Sequence, residues 1–201
     1  MPSPRNTPAA RAPGRPEDRL LDAARACILA TGWKRTTLTD VARRAGVSRM
    51  TLYRTWPDMQ TLLADLMTRE WAGVVAEVGA ADEGAAPLER LSVGVARTAT
   101  ALRGNDLLRK IVEVDPELLL PYLLQRRGRS QDHILGLVEA LIEEGQRAGS
   151  VRRGDPVLLG RTMVLTAYGF TLSVHTMADT ERAVEDFDAE LRTLLERYLA
   201  P

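Results

Sequence analysis

The chain has 201 residues, of which 45% are hydrophobic, 27% are charged and 4% are aromatic. This length fits one domain, or a small domain joined to a larger one. Ala, Leu, Arg and Glu dominate and strand-favouring runs are scarce, so the composition predicts an all-α protein. The single cysteine excludes an intrachain disulfide and a thiolate metal cluster. Without an apolar run of membrane-spanning length or an N-terminal signal core, we expect a cytoplasmic protein with no membrane partner.

The zero net charge conceals an uneven distribution along the chain. Residues 1–56 contain 11 Lys and Arg against 4 Asp and Glu, whereas residues 57–201 contain 16 against 23. A basic N-terminal part on an acidic body places positive charge where a polyanion can bind. Short segments also carry such a surplus by chance, so the distribution alone does not assign a nucleic-acid partner.

The first 16 residues are rich in Pro, Ala and Arg and show no amphipathic period. This composition predicts an arm, residues 1–16, that is disordered in isolation. Its three arginines, Arg5, Arg11 and Arg15, fit two interpretations equally well. They can lie in a DNA minor groove, or they can simply add solubility.

A helical pattern begins at Glu17 and stops at Gly32. A second, short helix is predicted from Thr37 to Ala45, where Thr37 is the N-cap and Asp40 supplies the acid of a capping box. Gly46 follows as a residue that takes a left-handed turn without penalty.

Ser48 is predicted to cap a third helix that runs to Trp56 and is stopped by Pro57. A further helix follows Asp58. The Gly/Ala/acid stretch at 79–86 reads as a linker. The remaining helices are predicted at 87–103, 105–112, 116–126, 129–148, 156–177 and 180–199.

The segment from Thr37 to Trp56 therefore combines a capped helix, a glycine turn and a second capped helix. Its apolar residues are spaced so that the two helices pack together, which leaves a polar outer face on the second helix. That face carries Arg49, Met50, Tyr53 and Arg54. This arrangement predicts a helix-turn-helix in which the second helix enters the major groove of duplex DNA.

Chemistry divides the roles in this motif. Arg49 and Arg54 can bond guanine edges or phosphates, whereas Met50 can only touch a thymine methyl group or fill space. Hydroxyl groups that can bond phosphates are offered by Thr37, Ser48, Thr51 and Tyr53. The competing interpretation is a helical hairpin buried in a larger all-α protein. Such a hairpin would not direct two arginines and a tyrosine outward beside a basic surplus.

Residues 19–71 resemble the N-terminal domain of the tetracycline-repressor (TetR) family of bacterial regulators. The resemblance lies in RLLDAARACILATGWKRTTLTDVARRAGVS and the following TLYRTWPDMQTLL. It implies phosphate contacts from Thr37, Thr51 and Tyr53. It also implies that Arg49, Met50 and Arg54 lie nearest the bases.

Three positions depart from the family pattern. Met59 stands where the family usually has a phosphate-binding lysine, so that contact is expected to be missing. Met50 replaces a small residue, which crowds the groove and can alter sequence preference. Trp56 replaces a phenylalanine, and we expect both to be core aromatics without functional weight.

The resemblance implies a three-helix helix-turn-helix domain, residues 17–60, joined to a larger helical ligand-binding and dimerisation domain, residues 61–201, with about nine helices in all. It implies a homodimer that pairs through residues 156–199. It also implies that the middle helices enclose a small hydrophobic or aromatic effector. Candidate contacts for this effector are Leu66, Trp71, Ile111, Leu118, Tyr122, Leu137, Met163, Tyr168 and His175.

No catalytic motif, cofactor motif or metal-ligand spacing is present, so we expect no enzyme activity, no cofactor and no metal. The leading hypothesis is a repressor that leaves a palindromic operator in double-stranded DNA when its effector binds. Two alternatives remain open: a DNA-binding regulator without a small-molecule effector, and an all-α ligand-binding or interaction protein that has lost DNA binding.

Overall fold

The computed structural model describes residues 16–81 and 84–201, and these ranges contain ten α-helices, two short 3-10 helices and no strand. The predicted all-α class is confirmed. The helices are α1 (Pro16–Thr31), α2 (Leu38–Ala45), α3 (Arg49–Thr55), α4 (Met59–Ala81), α5 (Pro87–Gly104), α6 (Asp106–Val114), α7 (Leu120–Leu124), α8 (Arg129–Arg147), α9 (Pro156–Leu172) and α10 (Val184–Leu199). The 3-10 helices are Pro116–Leu118 and Val174–Thr176.

The short helices α2 and α3 begin and end through local hydrogen bonds. Thr37 Oγ1 accepts the N–H of Asp40 at 3.2 Å, and the Asp40 carboxylate accepts the N–H of Thr37 at 3.1 Å. Gly46 then turns the chain at a φ of 69°. Ser48 Oγ accepts the N–H of Thr51 at 3.1 Å and so caps α3. The predicted capping box, glycine turn and second cap are all confirmed.

A first hydrophobic core holds the N-terminal helices together. It combines residues from α1, α2 and α3 with the first part of α4, and it also takes in Leu107 and Ile111 of α6. Leu52 and Trp56 anchor α3 to this core, because both side chains are buried. The orientation of α3 is therefore determined by apolar contacts on one side only, which leaves its other side open.

A buried hydrogen bond ties the turn between α1 and α2 to the end of α6. The carboxylate of Asp115 accepts the N–H of Trp33 at 2.7 Å, and Asp115 is almost fully buried. The turn needs Gly32, which has a φ of 86° and would bring a β-carbon within 3.1 Å of both Asp115 and Val114. Lys34 adds an ion pair to Glu117 at 2.6 Å.

A second hydrophobic core lies among α5, α8, α9 and α10. Helix α4 joins the two halves of the protein, because its first part packs in the first core while the helix also contacts α5 and α8. It runs unbroken from Met59 to Ala81. Among the helices of the described ranges, none has the length and apolar character needed to cross a membrane.

Several predicted boundaries shift. Helix α1 starts at Pro16, since proline is favoured in the first turn of a helix; residues 1–15 of the predicted disordered arm lie outside the described residues. The predicted linker 79–86 begins too early, because α4 continues through Ala81.

Three predicted helices of the second half are interrupted or shorter. The helix predicted at 116–126 divides before α7, where Pro121 supplies no N–H for a continuous helix. The helix predicted at 156–177 ends at Leu172 and is followed by a 3-10 turn. The helix predicted at 180–199 begins at Val184, because the Asp179 carboxylate holds the preceding residues in a turn.

Replacing Gly46 tests the left-handed turn between α2 and α3. We expect Gly46→Ala to lower the free energy of unfolding by about 1–2 kcal/mol, because an L-residue is strained at positive φ. Gly136→Ala is the matched control: Gly136 lies in α8, with open space around its added β-carbon, and the change should raise stability by about 0.5–1 kcal/mol. Urea unfolding followed by circular dichroism, at one protein concentration, gives both values. Equal effects of the two substitutions would contradict the strained turn.

Candidate nucleic-acid interface and effector cavities

All the residues predicted to contact DNA lie on the open side of the helix-turn-helix. The structure exposes Thr37, Ser48, Arg49, Met50, Thr51, Tyr53 and Arg54. The contrast with their neighbours is sharp, since Met50 is 77% exposed whereas Leu52, two residues on, is fully buried. The alternative of a buried hairpin is therefore wrong for the side chains of α3.

Three of the hydroxyl groups on this face are already engaged in hydrogen bonds. Thr37 Oγ1 donates to the Asp40 carboxylate at 2.6 Å, and the hydroxyls of Ser48 and Thr51 lie 2.9 Å apart. A hydroxyl has one proton to donate. The Thr37 proton must therefore turn away from Asp40 before it can bond a phosphate.

Of the arginines on this face, Arg43 is neutralised by an ion pair. Arg43 pairs with Asp40 at 2.9 Å, while among the described residues no salt bridge engages Arg49 or Arg54. The pKa of Asp40 lies below its usual value, chiefly because the Thr37 side chain and backbone donate to its carboxylate, and further because Arg43 and Arg49 are near. The exposed guanidinium groups of Arg49 and Arg54 are therefore available to a polyanion.

The position of Met59 supports the expected loss of a phosphate contact. Its side chain packs partly against the first core.

Arg35 and Arg44, which the motif analysis did not single out, are exposed on the turn before α2 and at the end of α2. Their exposure depends on how α1 and α2 pack, and no spacing in the sequence reveals it.

Two adjoining cavities lie in the larger part of the protein. The proximal cavity, of about 150 Å³, lies between α4, α6, α7, α8 and α9. The distal cavity, of about 500 Å³, lies between α4, α5, α8 and α9. Both have mainly apolar walls. The cavities share the lining residues Leu102, Ile134, Tyr168 and Thr171.

Most of the predicted effector contacts line these cavities. Trp71, Ile111, Leu118 and Tyr122 line the proximal cavity, Leu137 lines the distal cavity, and Tyr168 lines both.

The other three predicted contacts line neither cavity. Leu66 and Met163 are fully buried in the first and second cores. His175 is exposed on the 3-10 turn after α9. None of the three is therefore placed to contact a ligand in these cavities. For Leu66 and Met163, helical periodicity marks an apolar position but does not show which neighbour covers it.

The junction of the two cavities carries a polar group. Gln131 donates to the Tyr168 hydroxyl at 2.8 Å and to the backbone carbonyl of Tyr122 at 3.3 Å. Burial raises the pKa of Tyr168, so its hydroxyl stays protonated at neutral pH. A phenol oxygen that accepts one bond still has a proton to donate.

One set of contacts escaped the sequence analysis altogether. The indole N–H of Trp56 donates to Asp65 Oδ2 at 2.7 Å, and the other oxygen of Asp65 pairs with Arg129. Arg129 begins α8 and lines the proximal cavity. Asp65 and Arg129 are 64 residues apart, so no local pattern could have joined them. We expected Trp56 to be a core aromatic without functional weight, like the phenylalanine it replaces, and that expectation left out the hydrogen bond of its indole N–H.

A capped helical pair with exposed arginines on its second helix is the architecture of a helix-turn-helix DNA-binding protein, and comparisons with known proteins agree. The family profile described as bacterial regulatory proteins, tetR family, matches residues 20–66. An uncharacterised HTH-type transcriptional regulator of Mycobacterium bovis is 36% identical over 181 residues, which cover 90% of this chain and 93% of that protein.

Solved structures show the same fold over nearly the whole chain. The transcriptional repressor QsdR of R. erythropolis aligns with a TM-score of 0.67 and 18% identity, covering 92% of this chain and 96% of that one. The SmeT–triclosan complex aligns with a TM-score of 0.61 and 22% identity, covering 92% of each chain. The chain belongs to the TetR family of bacterial regulatory proteins and is a transcriptional regulator rather than an enzyme.

Two substitutions of Ser48 separate its capping role from its place at the DNA face. Ser48→Ala should lower the free energy of unfolding by about 1 kcal/mol, because the cap of α3 is lost. Ser48→Asp should keep that stability, since aspartate also caps helices, yet weaken DNA binding at least tenfold by repelling phosphates. Thermal unfolding and fluorescence anisotropy with labelled duplex measure the two effects. Unchanged DNA affinity in Ser48→Asp would remove Ser48 from the interface.

Proposed function

We propose that the protein is a cytoplasmic homodimeric repressor that binds a palindromic operator and is released when a small apolar effector binds. The observation that carries this proposal is the one-sided burial of α3. Leu52 and Trp56 fix the helix from beneath, while its charged and hydroxyl-bearing side is open. A helix held in this way presents its outer residues to a groove without reorganising its own core.

The exposed residues divide the work of recognition. The base edges of the major groove offer acceptors to Arg49 and Arg54, and a thymine methyl group offers an apolar contact to Met50. Tyr53 and the threonines supply hydroxyls for phosphates, which position the protein without reading sequence.

Substitutions on α3 should separate positioning contacts from base contacts. Tyr53→Phe is expected to weaken binding similarly for all sequences, because it removes only a phosphate bond. Arg49→Ala and Arg54→Ala are expected to change preference at defined base pairs, at about 1–3 kcal/mol for each lost bidentate contact. Binding of the variants to a randomised duplex library, followed by sequencing, gives the preferences. A Tyr53→Phe protein with wild-type affinity would show that its hydroxyl bonds no phosphate.

The proposed dimer rests on apolar side chains that the subunit leaves uncovered on α9 and α10. Val157, Leu158, Leu165 and Leu194 are all exposed. A single short recognition helix makes few base contacts, and two-fold symmetry doubles them on a palindrome. Leu191 and Leu195 of α10 are also apolar, but they are buried within the subunit and therefore support folding instead of pairing.

An aspartate at the proposed interface tests the dimer. Leu165→Asp should convert the dimer to a monomer, because Leu165 is 71% exposed in the subunit and would bury a charge in the pair. Leu124→Asp is the matched control, since Leu124 on α7 is 76% exposed and lies outside α9 and α10. Sedimentation velocity measures both. A wild-type monomer, or a Leu165→Asp dimer, would refute pairing through this face.

The proposed effector site is the pair of adjoining cavities. Their apolar walls and few polar groups suit a small hydrophobic molecule, and SmeT, which shares the fold, forms a complex with triclosan. Helix α4 lines both cavities and contributes to the core beneath α3. A ligand that moves α4 therefore changes DNA affinity, and DNA changes ligand affinity by the same factor.

Selection of bound fragments from genomic DNA, followed by footprinting, tests the proposal as a whole. A palindromic site is the expected result, with an affinity that falls with salt at a slope of about −0.9 per phosphate contact. The second candidate is an all-α ligand-binding protein without DNA affinity, which the missing cation at Met59 favours. Absence of any enriched fragment would support that candidate and overturn the repressor.

A further inference from the structure

We infer that Arg129 recognises an anionic group on an otherwise apolar effector, and that its pairing with Asp65 transmits occupancy of the proximal cavity to Trp56 at the end of the recognition helix. This inference rests on the effector response proposed above, and adds the chemical class of the ligand and the contacts that report its arrival.

The first step is the chemistry of the proximal cavity. Among the described residues that line it, Arg129 alone is charged. The other walls are leucines, aromatic rings and a few uncharged polar groups. An arginine at the edge of an apolar cavity attracts a carboxylate or a comparable anion, because its planar guanidinium offers paired donors that match two anionic oxygens.

The second step is the state of Asp65. One of its oxygens accepts the indole N–H of Trp56, and the other pairs with Arg129. The same carboxylate therefore bonds the C-cap residue of α3 and a cation at the cavity. A ligand anion that takes Arg129 removes the cation from Asp65 and places a like charge near it.

The third step is the difference in strength between the two bonds. The Arg129 side chain is 63% exposed, and an exposed ion pair contributes little and exchanges readily. Trp56 is only 2% exposed, and a buried indole N–H without a partner is costly. The ion pair between Arg129 and Asp65 therefore breaks first. The hydrogen bond between Trp56 and Asp65 persists, so a displacement of α4 that moves Asp65 also moves Trp56.

The sizes of the two cavities indicate the shape of the apolar part of the ligand. The proximal cavity of about 150 Å³ adjoins the distal cavity of about 500 Å³. An anionic group at Arg129 therefore leaves room for an apolar body that passes Tyr168 into the distal cavity. This predicts an elongated apolar acid instead of a compact one.

Calorimetry with matched probes tests the anion site. The probes are octanoate, decanoate and 4-phenylbutyrate, with 1-octanol, 1-decanol and 4-phenyl-1-butanol as their uncharged counterparts. We expect at least one acid to bind at least tenfold more tightly than its alcohol. Arg129→Gln should abolish that difference, whereas Arg129→Lys should keep part of it. Arg127→Gln is the matched control, because Arg127 is exposed, pairs with Asp132 and does not line the cavity.

Trp56→Phe tests the connection to α3, because it keeps an aromatic ring in the first core and removes the indole N–H together with the second ring of the indole. The variant should bind the acid with wild-type affinity, yet the acid should lower its operator affinity less than twofold, against at least tenfold in the wild type. In the wild type, the indole N–H resonance that Trp56→Phe lacks should shift when the acid is added. In Arg129→Gln that shift should be absent.

The outcomes separate this inference from the proposed function. If no acid of the series binds, if the alcohols bind as tightly, or if Arg129→Gln binds the acid normally, the anion site is wrong. If Trp56→Phe responds fully to the acid, the connection through Asp65 is wrong. Release of a selected operator by an uncharged molecule would keep the repressor and overturn the anion site. Failure to recover any operator would overturn the repressor, while calorimetry would still decide the anion site.

Discussion

Helix α4 is the constraint on which the rest of the structure depends, because one unbroken helix contributes to the DNA-binding core and to both cavities. Leu62 and Leu66 near its start are fully buried beneath the helix-turn-helix. Trp71 and Val75, further along, line the proximal and distal cavities. Close-packed side chains transmit displacement because they have little free volume to absorb it. The helix therefore cannot shift at the cavities without disturbing the support of α3.

The sequence was most informative where structure is determined locally. The cap at Thr37, the turn at Gly46 and the cap at Ser48 are each formed by residues at most four positions apart. A short stretch of chain therefore specifies each of them. The outward face of α3 followed from the same local pattern. Helix ends in the second half were predicted less well, because the break before α7 and the late start of α10 depend on Pro121 and Asp179 competing with an otherwise helical pattern.

Contacts between distant segments could not be predicted. Nothing near Trp56 indicates that its indole bonds Asp65, or that Arg129 bonds the same carboxylate from another helix. Periodicity also failed to distinguish a cavity wall from a core. Leu66 and Trp71 are both apolar residues of α4, yet Trp71 lines the proximal cavity and Leu66 is fully buried in the first core. Which of them meets open space depends on how α6, α7 and α8 pack around α4.

The buried bond between Trp33 and Asp115 has a mechanical consequence. It fastens one corner of the helix-turn-helix to α6, in a place that water barely reaches, whereas the Asp65 contact with Arg129 at another corner is solvated. A body that is fastened at one corner and released at another pivots instead of sliding. In the dimeric repressor that we propose, release from the operator would therefore tilt each recognition helix out of register with its groove. The fit of this proposed dimer to half-sites about one helical turn apart would then depend on the tilt angle of the recognition helices. DNA affinity would fall even if the distance between the subunits stayed the same.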